Sequence, residues 1–202
     1  MMRNRWLFSL ICLLCCPLWL CAQEVNEKKD STQLDKAAVL KALMEALSNQ
    51  QRDAEKTVAT ERVPGSVSPD FQCTDVKGKV CSLKDFKGKY VFIDVWATWC
   101  GPCCKEIPYL QQLEKKLAKK KIVFVSLSCD KDRSVWEKMV KEKKMGGVQL
   151  YMGEELAFRK AYGITAIPRF VLLDKEGKIV NATMTYPSNP ETEKVLLSLK
   201  GL

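Results

Sequence analysis

The segment Trp99-Cys100-Gly101-Pro102-Cys103 holds the residue types and spacing most suited to chemistry. Two thiols separated by two residues can cycle between a dithiol and a disulfide. The segment follows Lys89–Trp96 (KYVFIDVW), a near-continuous apolar run of strand length. A helical stretch to about Lys119 comes after it. A strand that feeds a helix here puts Cys100 at the helix N-terminus. Unpaired backbone N–H groups and the positive end of the helix dipole favour the thiolate there, and the thiolate is the form that attacks disulfides. Cys103 lies one turn on, and Pro102 suits a first helical turn, where its missing N–H costs little. The chain has no histidine. Ser–His and Cys–His catalysis are therefore excluded, and so is any histidine metal site. A lone CxxC supplies too few ligands for zinc. A structural disulfide is the alternative use of such a pair. No metal and no cofactor is expected, and chemistry is left to thiols, carboxylates and amines.

Asp94 interrupts the apolar run that leads into Trp99-Cys100. Strand alternation predicts Phe92 and Trp96 on its face, with Ile93 and Val95 on the other. A buried acid there is costly unless neutral or partnered.

The elements that must position these residues can be read from pattern. FQCTDVKGKVCSL predicts two short strands around Lys77-Gly78. Ile122–Cys129 (IVFVSLSC) reads as a second central strand, and SVWEKMVKEKK as a helix. VQLYM is a short strand, and EELAFRKAYG a helix closed by Gly163. PRFVLLD and KIVNATM form a hairpin around Glu176-Gly177, and Glu191–Lys200 is a final helix. This is an α/β plan.

The N-terminus has another character. Arg3 and Arg5 precede an apolar run from Leu7 to Leu20, as in a secretory signal peptide. Cleavage after Ala22 is expected, with a lipidated Cys21 as the alternative. These arginines are the only charges in residues 1–22, so removing the segment lowers the net charge from +9 to +7. The remaining lysine excess reads as solvated helix faces, and nothing in it suggests nucleic acid. Residues 23–69 form a helical leader and linker, with a helix from Gln33 to about Lys56 and then the breaker VPGSVSPD. The leader is a stalk that holds the domain off a membrane, a surface for a partner, or a weakly docked helix. The main domain spans 70–202. Four of the ten cysteines fall in the signal segment. The other six are Cys73, Cys81, Cys100, Cys103, Cys104 and Cys129, placed by export where disulfides persist. Cys73 and Cys81 flank the VKGK turn and either pair or stay as buried thiols. Cys104 is expected to be packed or half-exposed, and Cys129 to be a core thiol.

FIDVWATWCGPCCKEIP resembles the thioredoxin superfamily, in its exported TlpA/ResA-like branch. The resemblance runs from about Ser68 to the C-terminus and includes GITAIP far downstream. It implies a thioredoxin-like fold with an N-terminal β-hairpin and a central αβ insertion. It implies Cys100 as nucleophile and Cys103 as resolving cysteine in a redox-active disulfide. Pro168 matches the cis-proline that faces the cysteine pair. Asp94 matches the buried acid of thioredoxin, where many TlpA-like chains carry asparagine, and the match implies a proton acceptor for the resolving thiol. Glu106 matches an acid near the active site, and Pro108 a proline that kinks the active-site helix. Trp99, Gly101, Pro102 and Ile167 are expected to meet substrate. The function implied is a thiol–disulfide oxidoreductase of the periplasm or cell envelope. It would reduce disulfide-bearing exported proteins and be recharged by a membrane electron donor.

Three other readings stay open. One is an oxidant or isomerase on the same fold. A thiol peroxidase would need a P-x-x-x-T-x-x-C setting, but here Thr98 is two residues before Cys100 and Pro102 follows it. The third is a non-catalytic binding module or a copper carrier; copper carriers of this fold also use a distant histidine, and the chain has none.

Overall fold

The computed structural model describes residues 36–50, 52–53, 56, 63–153 and 157–202. The expected signal peptide, Cys21 and the first turn of the leader helix lie outside these residues. Two compact units divide the chain at Gln50. In the first, residues 36–50 form helix α1, whose Val39, Leu40, Leu43, Met44 and Leu47 are all exposed. No described helix is long and apolar enough to cross a membrane.

The second unit is built on one seven-stranded sheet. Its elements are β1 (Cys73–Asp75), β2 (Val80–Cys81), a 3-10 turn at Leu83–Phe86, β3 (Tyr90–Trp96), α2 (Gly101–Leu117), β4 (Ile122–Ser128), α3 (Arg133–Glu142), β5 (Val148–Tyr151), α4 (Ala157–Ala161), β6 (Arg169–Leu173), β7 (Ile179–Met184) and α5 (Pro190–Leu197). The strand order is β2-β1-β5-β4-β3-β6-β7. All seven residues of β3 are buried. The apolar run predicts this, since β3 lies between parallel β4 and antiparallel β6. Each fully buried Phe, Ile or Val here contributes about 1.5–3 kcal/mol. The two faces of the sheet carry separate clusters. Phe92 and Phe124 pack with Leu110, Leu113 and Leu117 of α2. Ile93 and Val95 pack with Trp136, Phe158 and Tyr162. Trp96 joins the second cluster, not that of Phe92, so the alternation expected along β3 ends before its last residue.

Two hairpins use one turn design. In Asp75-Val76-Lys77-Gly78-Lys79 the Asp75 carboxylate accepts the N–H groups of Lys77 and Lys79. In Asp174-Lys175-Glu176-Gly177-Lys178 the Asp174 carboxylate accepts those of Glu176 and Lys178. Each turn needs a left-handed residue four positions into it, and Gly78 (φ 81) and Gly177 (φ 78) supply it without a Cβ penalty. Cys73 and Cys81 stand opposite each other in the first hairpin as thiols. Asp132 and Asn189 cap α3 and α5 through the N–H groups of Ser134 and Glu191. Arg133 ties α3 to β1 by donating to Thr74 Oγ1 and the Asp75 carbonyl. The unit α3–β5 is inserted between β4 and α4, and carries the sheet from the central strands out to the N-terminal hairpin.

Candidate active site

β3 ends at Trp96, and the chain turns through Ala97-Thr98-Trp99 into α2. Cys100 is the N-cap of α2, and its Sγ accepts the backbone N–H of Cys103 at 3.2 Å. Cys100 and Cys103 are joined by a disulfide, with their Cα atoms 5.2 Å apart. Both are buried, at 5% and 3% exposure. The neighbours differ: Trp99 is 69% exposed, and Gly101 and Pro102 are exposed as well. A buried disulfide thus sits inside an open rim. The helix continues through Pro108. The peptide bond between Ile167 and Pro168 is cis. The Ile167 carbonyl oxygen lies 3.8 Å from Cys100 Sγ, a packing contact in the disulfide form, where the sulfur carries no proton. The structure therefore brings Trp99, Cys100, Gly101, Pro102, Cys103 and Ile167 together across 67 residues of chain.

Asp94 is 6% exposed in the middle of β3. Burial pushes its carboxyl up to about 8, and the negative charges of Glu106 and Glu114 add to this, while Ser126 opposes it. Glu106 is half-buried, and its two oxygens accept the Ser188 N–H at 2.8 Å and the Ser188 hydroxyl at 2.9 Å. It therefore ties α2 to the loop before α5 as well as acting on Asp94.

Asp130 is the site residue that sequence reasoning missed. It is 2% exposed. Its carboxylate accepts the Thr98 N–H at 3.1 Å, the Thr98 hydroxyl at 2.7 Å and the Ser128 hydroxyl at 2.7 Å. It clamps the loop that delivers Cys100. The available signal was an acid placed directly after a buried strand whose end carries serines.

Two further thiols border this loop. Cys104 is half-buried and donates to the Thr98 carbonyl at 3.4 Å, and Cys129 is buried and donates to the Trp96 carbonyl at 3.1 Å. Burial raises both above the ordinary thiol value, which disfavours the thiolate. Among the described residues, no group of three or more His, Cys, Asp or Glu side chains is arranged to hold a metal ion.

The arrangement can accept electrons into a disulfide or, once reduced, attack one. Comparison with known proteins agrees with that chemistry. Residues 62–196 match the family model described as Redoxin. Over 133 residues the chain is 35% identical to the thiol-disulfide oxidoreductase ResA of Bacillus cereus (strain ATCC 10987 / NRS 248), covering 65% of this chain and 76% of the relative. The thioredoxin domain of a thiol-disulfide oxidoreductase from Bacteroides vulgatus superposes with a TM-score of 0.61 at 32% identity, covering 67% of this chain and 96% of that one. The fold is thus thioredoxin-like.

Proposed function

This chain belongs to the Redoxin family as a TlpA/ResA-like thiol–disulfide oxidoreductase, and from that premise we propose that it is an exported reductant of disulfide-bearing proteins. The observation that carries the reading is the Cys100 sulfur, seated at the N-cap of α2 with the Cys103 N–H on it and an exposed rim around it.

The cycle starts from the dithiol. The Cys100 thiolate, favoured by the helix N-terminus, attacks one sulfur of a substrate disulfide and releases the other as a thiolate, which takes a proton from water. Cys100 is then in a mixed disulfide with the substrate. Cys103 gives its proton to the Asp94 carboxylate, and its thiolate attacks Cys100 Sγ. The Cys100–Cys103 bond forms and the second substrate thiolate leaves. Two electrons pass to the substrate, and a membrane electron donor returns the pair to the dithiol. Pro168 holds the chain at Ile167 so that backbone groups can pair with a substrate strand, and Trp99, Gly101 and Pro102 form the surface it meets. Glu106 supports this machinery by raising Asp94. Residues 1–22 direct export to the periplasm or cell envelope, with Cys21 as the residue for a lipid anchor.

Direction follows from Gly-Pro between the cysteines. That dipeptide belongs to thioredoxin, poised at about −270 mV, whereas the oxidant DsbA is poised at about −120 mV. Equilibrating the Cys100–Cys103 pair against a dithiothreitol series tests the reading. A potential within about 30 mV of thioredoxin supports a reductant, and one near DsbA makes the protein an oxidant.

A further inference from the structure

Resting on the role of Asp94 as base, we propose that Glu114 is the outlet for its proton, reached along a buried polar row through Ser126 and Gln149.

An outlet is needed because Asp94 holds its own proton at neutral pH. It must lose that proton before it can take one from Cys103. It is 6% exposed, and the charges acting on it, Glu106 and Glu114 of α2, are both acids that keep the proton in place. Cys129, on which the charge of Asp94 acts, is itself held protonated by burial. Glu106 is turned to the loop before α5, where both its oxygens accept from Ser188.

The register supplies a row. Asp94 is paired with Ser126, and Ser126 with Gln149. Paired residues on neighbouring strands project from the same face. Phe92 and Phe124, two residues earlier on β3 and β4, pack with Leu110, Leu113 and Leu117, so this face is the one α2 covers. All three residues of the row are buried. Ser126 is close enough to Asp94 to lower its pKa, yet Ser126 Oγ makes no hydrogen bond of regular geometry among the described residues. Gln149 Oε1 is likewise without a partner there. The Gln149 amide is oriented by its Nε2, which donates to the Gly146 carbonyl at 2.7 Å. Buried polar groups of this kind are bridged by ordered water. A hydroxyl both donates and accepts, so Ser126 can pass a proton, while the Gln149 oxygen can only accept and thus orients the water beside it.

The row ends at Glu114. Its carboxylate nests on Gly146-Gly147, next to the carbonyl that Gln149 holds. A Cβ at Gly146 would overlap Glu114 Oε2, and one at Gly147 would lie 2.8 Å from Oε1. These two glycines make room for an acid that α2 would otherwise carry among Lys115 and Lys116 in solvent. Glu114 is half-buried, and burial alone raises its carboxyl to about 7. It can therefore exchange protons both with Asp94 and with bulk water. The step balances: Asp94 releases one proton to the Ser126 hydroxyl and its water, and one proton reaches the Glu114 carboxylate and leaves to solvent.

The test is stopped-flow reaction of the reduced full chain with limiting dithiobis(nitrobenzoate), from about pH 6 to about pH 9. The first thionitrobenzoate released reports attack by Cys100, and the second reports resolution by Cys103. Glu114→Gln is expected to leave the first phase unchanged and slow the second about tenfold near neutral pH. The gap should close toward pH 9, where hydroxide draws the proton directly. Ser126→Ala should reproduce this, and keeps the test decisive if Glu114→Gln folds poorly. If Glu114→Gln and Ser126→Ala both follow the parent at every pH while Asp94→Asn is slow, the outlet is wrong and the base stands. If Asp94→Asn also follows the parent, the base itself is wrong. A deficit in Glu114→Gln that is constant with pH would make Glu114 a packing residue and overturn the outlet.

Discussion

Asp94 and Asp130 sit in neighbouring central strands or at their ends, both nearly buried, yet their surroundings are opposite. Asp130 has three donors on its carboxylate, from Thr98 and Ser128. Asp94 has one weak polar neighbour and two acids. A carboxylate with several donors is a fastener, because each donor would lose its partner if the acid moved or were removed. A buried carboxyl with only one weak donor keeps its proton to about pH 8 and so can trade it near neutrality. The comparison shows that burial alone does not assign a role to an acid. The donors around it do.

The largest effect expected is on Asp94→Asn. Turnover near neutral pH should fall by roughly 100- to 1000-fold, the lower part of the range general-base catalysis contributes, while the rate of attack by Cys100 holds. Insulin reduction alongside the stopped-flow phases checks both. The same variant should change how stability depends on pH. The Asp94 carboxyl is raised in the folded chain, so its contribution is fully present below about pH 4 and is lost as pH rises through about 8. Asp94→Asn should remove that loss, a gain of about 2–4 kcal/mol at the alkaline end once the shift is discounted for relaxation around the charge. Urea unfolding at several pH values measures it. Asp130→Ala should do the reverse. Leaving the Thr98 N–H and the two hydroxyls without their acceptor should cost about 2–3 kcal/mol. Turnover should fall less than in Asp94→Asn, with the shape of its pH profile unchanged. If Asp130→Ala flattened that profile, the division between fastener and proton carrier would fail. The smallest effect is at Cys104→Ser, where turnover should stay within about twofold, since this thiol is held protonated and faces the Thr98 carbonyl.

What was legible in the sequence was local. WCGPC carries its chemistry in its own spacing, and the strand before it announces itself by an unbroken apolar run. Asp94 stood out because it interrupts that run. Pro168 was reachable only through resemblance, since nothing near it in sequence points 68 residues back to Cys100. Asp130 went unread because its partner Thr98 is 32 residues away and is brought to it by the parallel register of β3 and β4. Glu114 sits beside Lys115 and Lys116 and reads as a solvated helix face. Its burial comes from the Gly146-Gly147 turn, which packs on it from a distant part of the chain. Glu106 was legible as an acid near the site, but not its grip on Ser188.

The order of the two cysteines is the centre of the account, and trapping tests it most directly. Full-length Cys103→Ser and Cys100→Ser should each be incubated with a disulfide-bearing protein, and the products separated without reductant and mapped by mass spectrometry. Cys103→Ser should accumulate a mixed disulfide through Cys100, because attack proceeds and resolution does not, and Cys100→Ser should accumulate none. A mixed disulfide that builds up on Cys103 in Cys100→Ser, with none on Cys100 in Cys103→Ser, would reverse the roles and contradict the account.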